Sequence, residues 1–468
     1  MDDDFTTRRG EAGEGLVGKQ TPDEEPRIIV GLEWSRFYVA TIFSLLSVLQ
    51  GAVWSQMSAF SGTLRDELNI PGSMIDHITS LGTASQIPTL LLTGYFIRRS
   101  ELHNAIRGSI IAVLAGSVAM GLSIVLNRPW LLYIGAFFNG LGGGAAMSAG
   151  ATISDWWFAA NERTVATAIM TGSNPTGFAF SFIAAAVWVK SRRDVVLYCV
   201  CESIVALVLT LACLLYLPNQ PLQSPSLSRW KKIHSSDRAV NSFQFLKSSV
   251  FWRIALSYAL VSGIYNGWLS VLPLNLHDLG IDQGGAGFVA FTGVVSGVAG
   301  GIVGSYIVDS TSLSLQFITL LMTTSAMATF AVFALLGGRI IEIGTSNLTL
   351  LIVLSAIGGA GVNGSVPILI ELAIETSFGH SSAEMVAGFM VLMQNIAVVA
   401  FLVIPLDDFG TRWMDWALVG SLSASCLLLL CGRMDCKRIE CDLGRGLLDL
   451  TEESESIVHQ SRQPFHYW

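Results

Sequence analysis

Charge is what this sequence has least of. Asp, Glu, Lys and Arg make up 13% of its 468 residues and hydrophobic residues 51%, whereas a soluble domain carries roughly 25% charged residues. Water alone would not dissolve such a chain. Cysteine is also sparse: Cys199, Cys201, Cys213, Cys426 and Cys431 fall in or beside apolar runs, and Cys436 and Cys441 lie near the end. No paired framework is visible, and the last two lack the further ligands a structural zinc site needs, so free thiols and no bound metal are expected. Neither an H-E-x-x-H pair nor a G-x-S-x-G elbow occurs in the apolar runs, which argues against an intramembrane enzyme. The G-x-G spacings between Gly140 and Gly144 follow no strand, which removes nucleotide binding as their explanation. No cofactor and no nucleic-acid partner are expected. An apolar signal region is absent before Trp34, so the first apolar run is expected to act as the insertion signal, with the amino terminus in the cytosol.

What the chain has in abundance is long apolar runs. About 20 such residues cross a hydrocarbon core of about 30 Å. Six runs can be read at Phe37 to Phe60, Ile75 to Ile97, Ala105 to Leu126, Trp130 to Ile153, Thr164 to Val189 and Val195 to Leu217. Six more follow at Phe251 to Leu274, Gly287 to Val308, Leu313 to Leu336, Leu348 to Ile370, Met385 to Ile404 and Trp413 to Leu430. The expectation is an all-α membrane protein of twelve spans in two six-helix bundles, residues 35–217 and 251–432, joined by a cytosolic linker at 218–250 and flanked by cytosolic tails at 1–34 and 433–468. With both tails cytosolic, 20 of the 27 Lys and Arg residues lie inside and 7 outside, as the retention of positive charge in short cytosolic loops requires.

The halves echo each other. Val165-Ala166 and Asn174 recur 221 positions later as Val386-Ala387 and Asn395, and the same shift pairs Gly140 and Gly143 with Gly361 and Gly364. The second and eighth spans end alike, Tyr95-Phe96-Ile97-Arg98 against Tyr306-Ile307-Val308-Asp309. Parallel repeats about an axis along the membrane normal characterise one large class of secondary transporters.

Polar side chains inside spans are costly to expose to lipid, so they face a cavity or another helix. Gln50, Trp54 and Gln56 lie in the first span, Gln86 near Pro88 in the second, Asn139 in the fourth and Asn174 before Pro175 in the fifth. The second half adds Tyr265, Asn266 and Trp268 in the seventh span, Asn363 in the tenth, and Gln394 and Asn395 in the eleventh. For any one amide, interhelical bonding and ligand contact are equal readings; as a set they point to a substrate cavity. Trp54 and Tyr265 offer aromatic faces to a flat ring or an organic cation. Glu202, Asp309, Glu371 and Glu375 are the candidates for proton coupling or gating. Glu371 and Glu375, one turn apart, read better as a gate, and Asp309 as a latch.

The loop W-F-A-A-N-E-R-T-V-A-T-A, Trp157 to Ala168, resembles that of solute carrier family 49 in the major facilitator superfamily. The stretches S-Y-A-L-V-S-G-I-Y-N-G-W, Ser257 to Trp268, and N-G-S-V-P-I-L-I-E-L-A-I-E-T, Asn363 to Thr376, resemble that family's branch called disrupted in renal carcinoma protein 2, related to the feline leukaemia virus subgroup C receptors. The resemblance implies the major facilitator fold. It also implies that Trp54, Tyr265 and Asn395 match cavity positions. The viral-receptor branch carries choline and ethanolamine; the other resembles a lysosomal, proton-driven exporter of vitamin B6. Gly143 stands where the choline carriers have a cavity glutamine, and Arg98 where the usual loop motif is acidic.

The expectation is therefore a monomeric secondary transporter in the lipid bilayer, moving a small polar organic solute. By resemblance that solute is pyridoxine, carried with protons from the lysosome to the cytosol. A choline or ethanolamine facilitator at the plasma membrane, or a non-transporting receptor, are the alternatives.

Overall fold

The computed structural model describes residues 32–98, 101–226, 244–277, 279–281, 283–311, 313–337, 347–377, 383–402 and 412–432. Nearly all of the expected tails, the linker from 227 to 243, and Cys436 and Cys441 lie outside the described residues, as does the side chain of Arg98. The first half comprises α1 (Ser35–Ala59), α2 (Ser61–Leu68), α3 (Gly72–Arg98), α4 (Leu102–Leu126), α5 (Trp130–Trp157), α6 (Arg163–Val187) and α7 (Arg192–Leu215). In the second, α8 (Ser249–Tyr258) passes through a π-helical turn (Ala259–Gly263) into α9 (Ile264–His277), making one span. It continues with α10 (Gln283–Ser310), α11 (Leu315–Gly337), α12 (Asn347–Thr376), α13 (Ala383–Leu402) and α14 (Arg412–Leu430). No β-strand occurs among the described residues.

Local chemistry sets several boundaries. Asn69 and Asn127 end α2 and α4 at φ 53°, the left-handed conformation that Asn tolerates better than most residues. Asp194 accepts the Ser191 N–H at 2.9 Å, half of the capping box that starts α7.

Among the described residues, nine helical segments are long and apolar enough to cross a membrane. The other three spans, α3, α5 and α6, have 27, 28 and 25 residues, ample length at 1.5 Å per residue. Gly, Ser, Thr and amide residues dilute their apolarity. Helix α7 bares Leu197, Val200, Ile204, Val208 and Leu211 on its outer side.

Small residues let the backbones meet. A Cβ on Gly177 would run into the Val48 carbonyl oxygen, and one on Gly140 into the Gly82 carbonyl oxygen. In the second half a Cβ on Gly359 would strike the Gly293 carbonyl oxygen. Gly82 and Gly293 are 211 positions apart, the offset of the Tyr95 and Tyr306 motifs. The structural partner of Gly140 is thus Gly359 rather than Gly361. Gly361 instead meets Met322 and Ala326 of α11, as Gly142 meets Ser109 and Val113 of α4. The sequence alignment of the halves slips by two residues here because contact, not identity, sets the register.

Helices α1 to α7 pack together, as do α8 to α14, and the halves meet where α6 lies along α10 and α12 and where α3 and α5 lie along α13.

Candidate functional site

Between the halves lies a cavity, with about 950 Å³ of space free of protein atoms when open solvent is included. Helices α1, α3, α5 and α6 wall it on one side; α8 with its π-turn, α9, α10, α12 and α13 wall it on the other. Helices α4, α7, α11 and α14 contribute nothing to the lining and form the outer layer.

Seven of the side chains expected to contact a ligand line this cavity: Trp54, Gln86, Asn174, Asn266, Asn363, Gln394 and Asn395. Asn174 Nδ2 donates to Gln50 Oε1 at 2.6 Å and to the Ser47 carbonyl at 3.1 Å, so this pair of amides is fixed across α1 and α6. The opposite wall repeats the device with hydroxyls. Gln394 Oε1 accepts from Tyr258 Oη at 2.7 Å and from Ser262 Oγ at 2.9 Å. Trp54 stacks on Phe178 with ring centroids 5.1 Å apart, presenting a broad aromatic wall. Nδ2 of Asn395 is buried and completes no hydrogen bond among the described residues. No Asp, Glu, Lys, Arg or His occurs among the described lining residues.

Three expected contact residues lie outside the lining. Asn139 sits one layer back, donating from Nδ2 to the Gln50 carbonyl at 3.3 Å. Tyr265 is 0% exposed and stacks on Trp268 at 5.8 Å. Trp268 donates from Nε1 to Asp415 Oδ1 at 2.6 Å, and Asn275 Nδ2 donates to the same oxygen at 2.8 Å. The π-turn explains the displacement. In an unbroken α-helix, positions 258 and 265 share a face, because seven residues complete almost two turns. One extra residue in the turn moves that face on by one position, so Tyr258, Ser262 and Asn266 look into the cavity and Tyr265 looks away. Sequence reasoning passed over Tyr258, Ser262 and Thr83, which line the cavity, and Asp415. The available signal was the spacing of four between Tyr258, Ser262 and Asn266, and a lone acid in the first turn of the last span.

The candidate gating acids are dispersed. Asp309 reaches across the seam, its Oδ2 accepting the Val165 N–H at 2.9 Å. Val165 lies in the first turn of α6, where backbone donors lack intrahelical partners. Glu371 and Glu375 are buried on α12, beyond Pro367 and Ile370 of the lining and toward the charge-rich end. Glu202 is buried inside the first bundle, away from the cavity. The halves also touch at the opposite mouth, where Ser58 Oγ donates to the Ser270 carbonyl at 3.2 Å.

A family model described as Major Facilitator Superfamily matches residues 42–431. The chain is 28% identical over 430 residues to the solute carrier family 49 member 4 homolog of Xenopus laevis, covering 87% of this chain and 93% of that one. It is 19% identical over 403 residues to the choline/ethanolamine transporter FLVCR2 of Homo sapiens, covering 82% and 74%. Two solved transporters share the fold: FucP in the outward conformation, with a TM-score of 0.61, 13% identity and coverage of 84% and 98%, and the proton:xylose symporter XylE bound to 6-bromo-6-deoxy-D-glucose, with a TM-score of 0.62, 16% identity and coverage of 84% and 94%.

Proposed function

The chain belongs to the Major Facilitator Superfamily, a family of membrane transporters and not of enzymes, and from that premise we propose that it carries a small, uncharged, polar organic solute by alternating access. The observation that supports this most is the wall chemistry: amides, hydroxyls and an aromatic pair surround the cavity, with no carboxylate or base among the described lining residues. A charged solute would lose its hydration without a counter-charge. A neutral ring with hydroxyl groups would stack on Trp54 and exchange hydrogen bonds with Asn174, Asn266, Asn363, Gln394 and Asn395 at little net cost.

Pyridoxine fits that description, and likeness to the member 4 homologs of solute carrier family 49 supports it. We place its transport from the lysosomal lumen to the cytosol, driven by protons. The two halves rock about the cavity, with Asp309 and Val165 closing the charge-rich side in the state described here.

The second reading, choline or ethanolamine facilitation at the plasma membrane, draws on likeness to the choline/ethanolamine transporters and on the Trp54–Phe178 pair, whose faces can attract an organic cation. Uptake of labelled pyridoxine and of labelled choline into cells expressing a surface-routed form separates the two. Pyridoxine uptake that rises with a proton gradient is the expected result; pH-independent choline uptake alone overturns the first reading.

A further inference from the structure

A carboxylate with nothing to bind is out of place at bilayer depth. Glu202 stands on α7 roughly 15 Å along the helix from Arg192, is 7% exposed, and neither of its oxygens completes a hydrogen bond among the described residues. Yet two donors lie beside it, the Tyr198 hydroxyl and the Gln56 amide. Both are engaged elsewhere. Gln56 Nε2 donates to the Val53 carbonyl and to Met120 Sδ, each at 3.3 Å, while its Oε1 accepts the Cys199 thiol at 3.3 Å. The Tyr198 hydroxyl pairs with Ser181 Oγ at 3.0 Å.

An ionised carboxylate in that position would draw both donors to itself. Here neither donor completes that bond, which leaves the carboxyl able to take up a proton instead. Among the described residues no cation is near to supply the alternative. On its own helix Glu202 faces Tyr198 and Cys199, while Arg192, Arg193 and Asp194 lie at the helix start. Helix α1 presents Gln56, with Arg36 at its far end bound to Glu162; α4 presents Ser117 and Met120, with His103 and Arg107 at its opposite end; α6 presents Ser181, with Arg163 at its opposite end. On α2, Arg65, Asp66 and Glu67 are exposed.

We infer that Glu202 is a proton-binding site separate from the solute cavity, and that it couples to the cavity through α1. This rests on the transporter reading above. Gln56 and Trp54 are two positions apart, about 200° around a helix, so one face of α1 carries the cavity wall and the other carries the amide beside Glu202. Loss of the proton frees two acceptor oxygens. Gln56 Nε2 leaves Val53 and Met120, the Tyr198 hydroxyl leaves Ser181, and both turn to the carboxylate. That change draws α1 toward α7 and displaces Trp54 relative to Phe178. Binding a proton reverses it, giving the two discrete arrangements that a coupled carrier requires.

The test uses the full chain in lipid nanodiscs and in proteoliposomes. Infrared spectra titrated against pH are expected to contain a protonated-carboxyl band component that Glu202→Gln removes. In proteoliposomes, stimulation of pyridoxine uptake by a proton gradient is expected to collapse to a ratio of about one in Glu202→Gln, while exchange of labelled for unlabelled pyridoxine persists, since exchange needs no net proton movement. Unchanged spectra, or gradient stimulation retained in the variant, overturns the proposal. Should Glu202→Gln fail to fold, Glu202→Asp decides the matter: it is expected to keep a shifted band and a weakened gradient response, and a band unchanged from the native protein overturns the assignment. If the native protein moves no pyridoxine with or without a gradient, the transport reading has failed, and the infrared component alone judges the proton site.

Discussion

Asp309 of the second half accepts the main-chain N–H of Val165 of the first half at 2.9 Å. The acid closes the first turn of a helix it does not belong to, so the two bundles share one cap on the charge-rich side. Gly94 of α3 lies against Met385 of α13 on the same side, and Ala151 of α5 joins the apolar cluster built from α8, α12 and α13. Apolar contact seals this mouth; the Asp309 bond adds direction to the seal.

Asp309→Ala is therefore expected to favour the state open to that side. A hydrogen bond to a charged group contributes about 1.5–3 kcal/mol, so a single cysteine placed at Ile370 should react at least about 10-fold faster with an impermeant thiol reagent from the charge-rich side. Unchanged labelling would show that the contact accompanies closure without holding it.

Trp54 and Tyr265 should behave differently, although both are mid-span aromatics. Trp54→Leu removes the cavity's stacking face and should weaken solute affinity about 10-fold, since an aromatic pair contributes about 0.5–1.5 kcal/mol beyond its buried area. Tyr265→Phe removes a hydroxyl that is buried without a hydrogen-bond partner among the described residues and should leave affinity unchanged. Equal losses in a binding titration would contradict the placement of Tyr265 behind the wall.

Trp268→Phe separates stability from recognition. It takes one of two donors from Asp415, which should cost about 1–3 kcal/mol and lower the melting temperature in detergent. The Michaelis constant should stay the same, because Trp268 does not line the cavity. A raised Michaelis constant with native melting would reverse that assignment.

The helix crossings supply a paired test. Gly177→Ala forces a Cβ into the Val48 carbonyl where α1 meets α6, whereas a Cβ on Gly108 meets nothing within 4 Å. Overpacking costs about 1–3 kcal/mol, so thermal unfolding should detect the first substitution and not the second.

How much could be read beforehand varies from residue to residue. Asn174 and Asn395 were legible as a repeated pair because each follows a Val-Ala pair at the same distance, and an amide at bilayer depth has few reasons to persist. Tyr265 and Asn266 were not separable: adjacent positions on one helix differ by 100°, and the turn that rotated the face is set by backbone hydrogen bonding from Ala259 to Gly263, which leaves no trace in residue type. Asp415 escaped notice because its partners, Trp268 and Asn275, are 147 and 140 positions away in the chain. Glu202 was visible as an intramembrane acid, but nothing linear says that Gln56 and Tyr198 stand beside it.

The sequence alone determined the spans and the doubling of the chain, because a bilayer penalises every exposed polar group and writes its thickness into the length of each apolar run. Tertiary structure decided which polar side chains look inward, which pair behind the wall, and which glycines answer each other between the halves. Those outcomes depend on helix rotation and crossing, where one inserted residue or one missing Cβ redirects a whole face, and hydrophobicity along a chain carries no record of either.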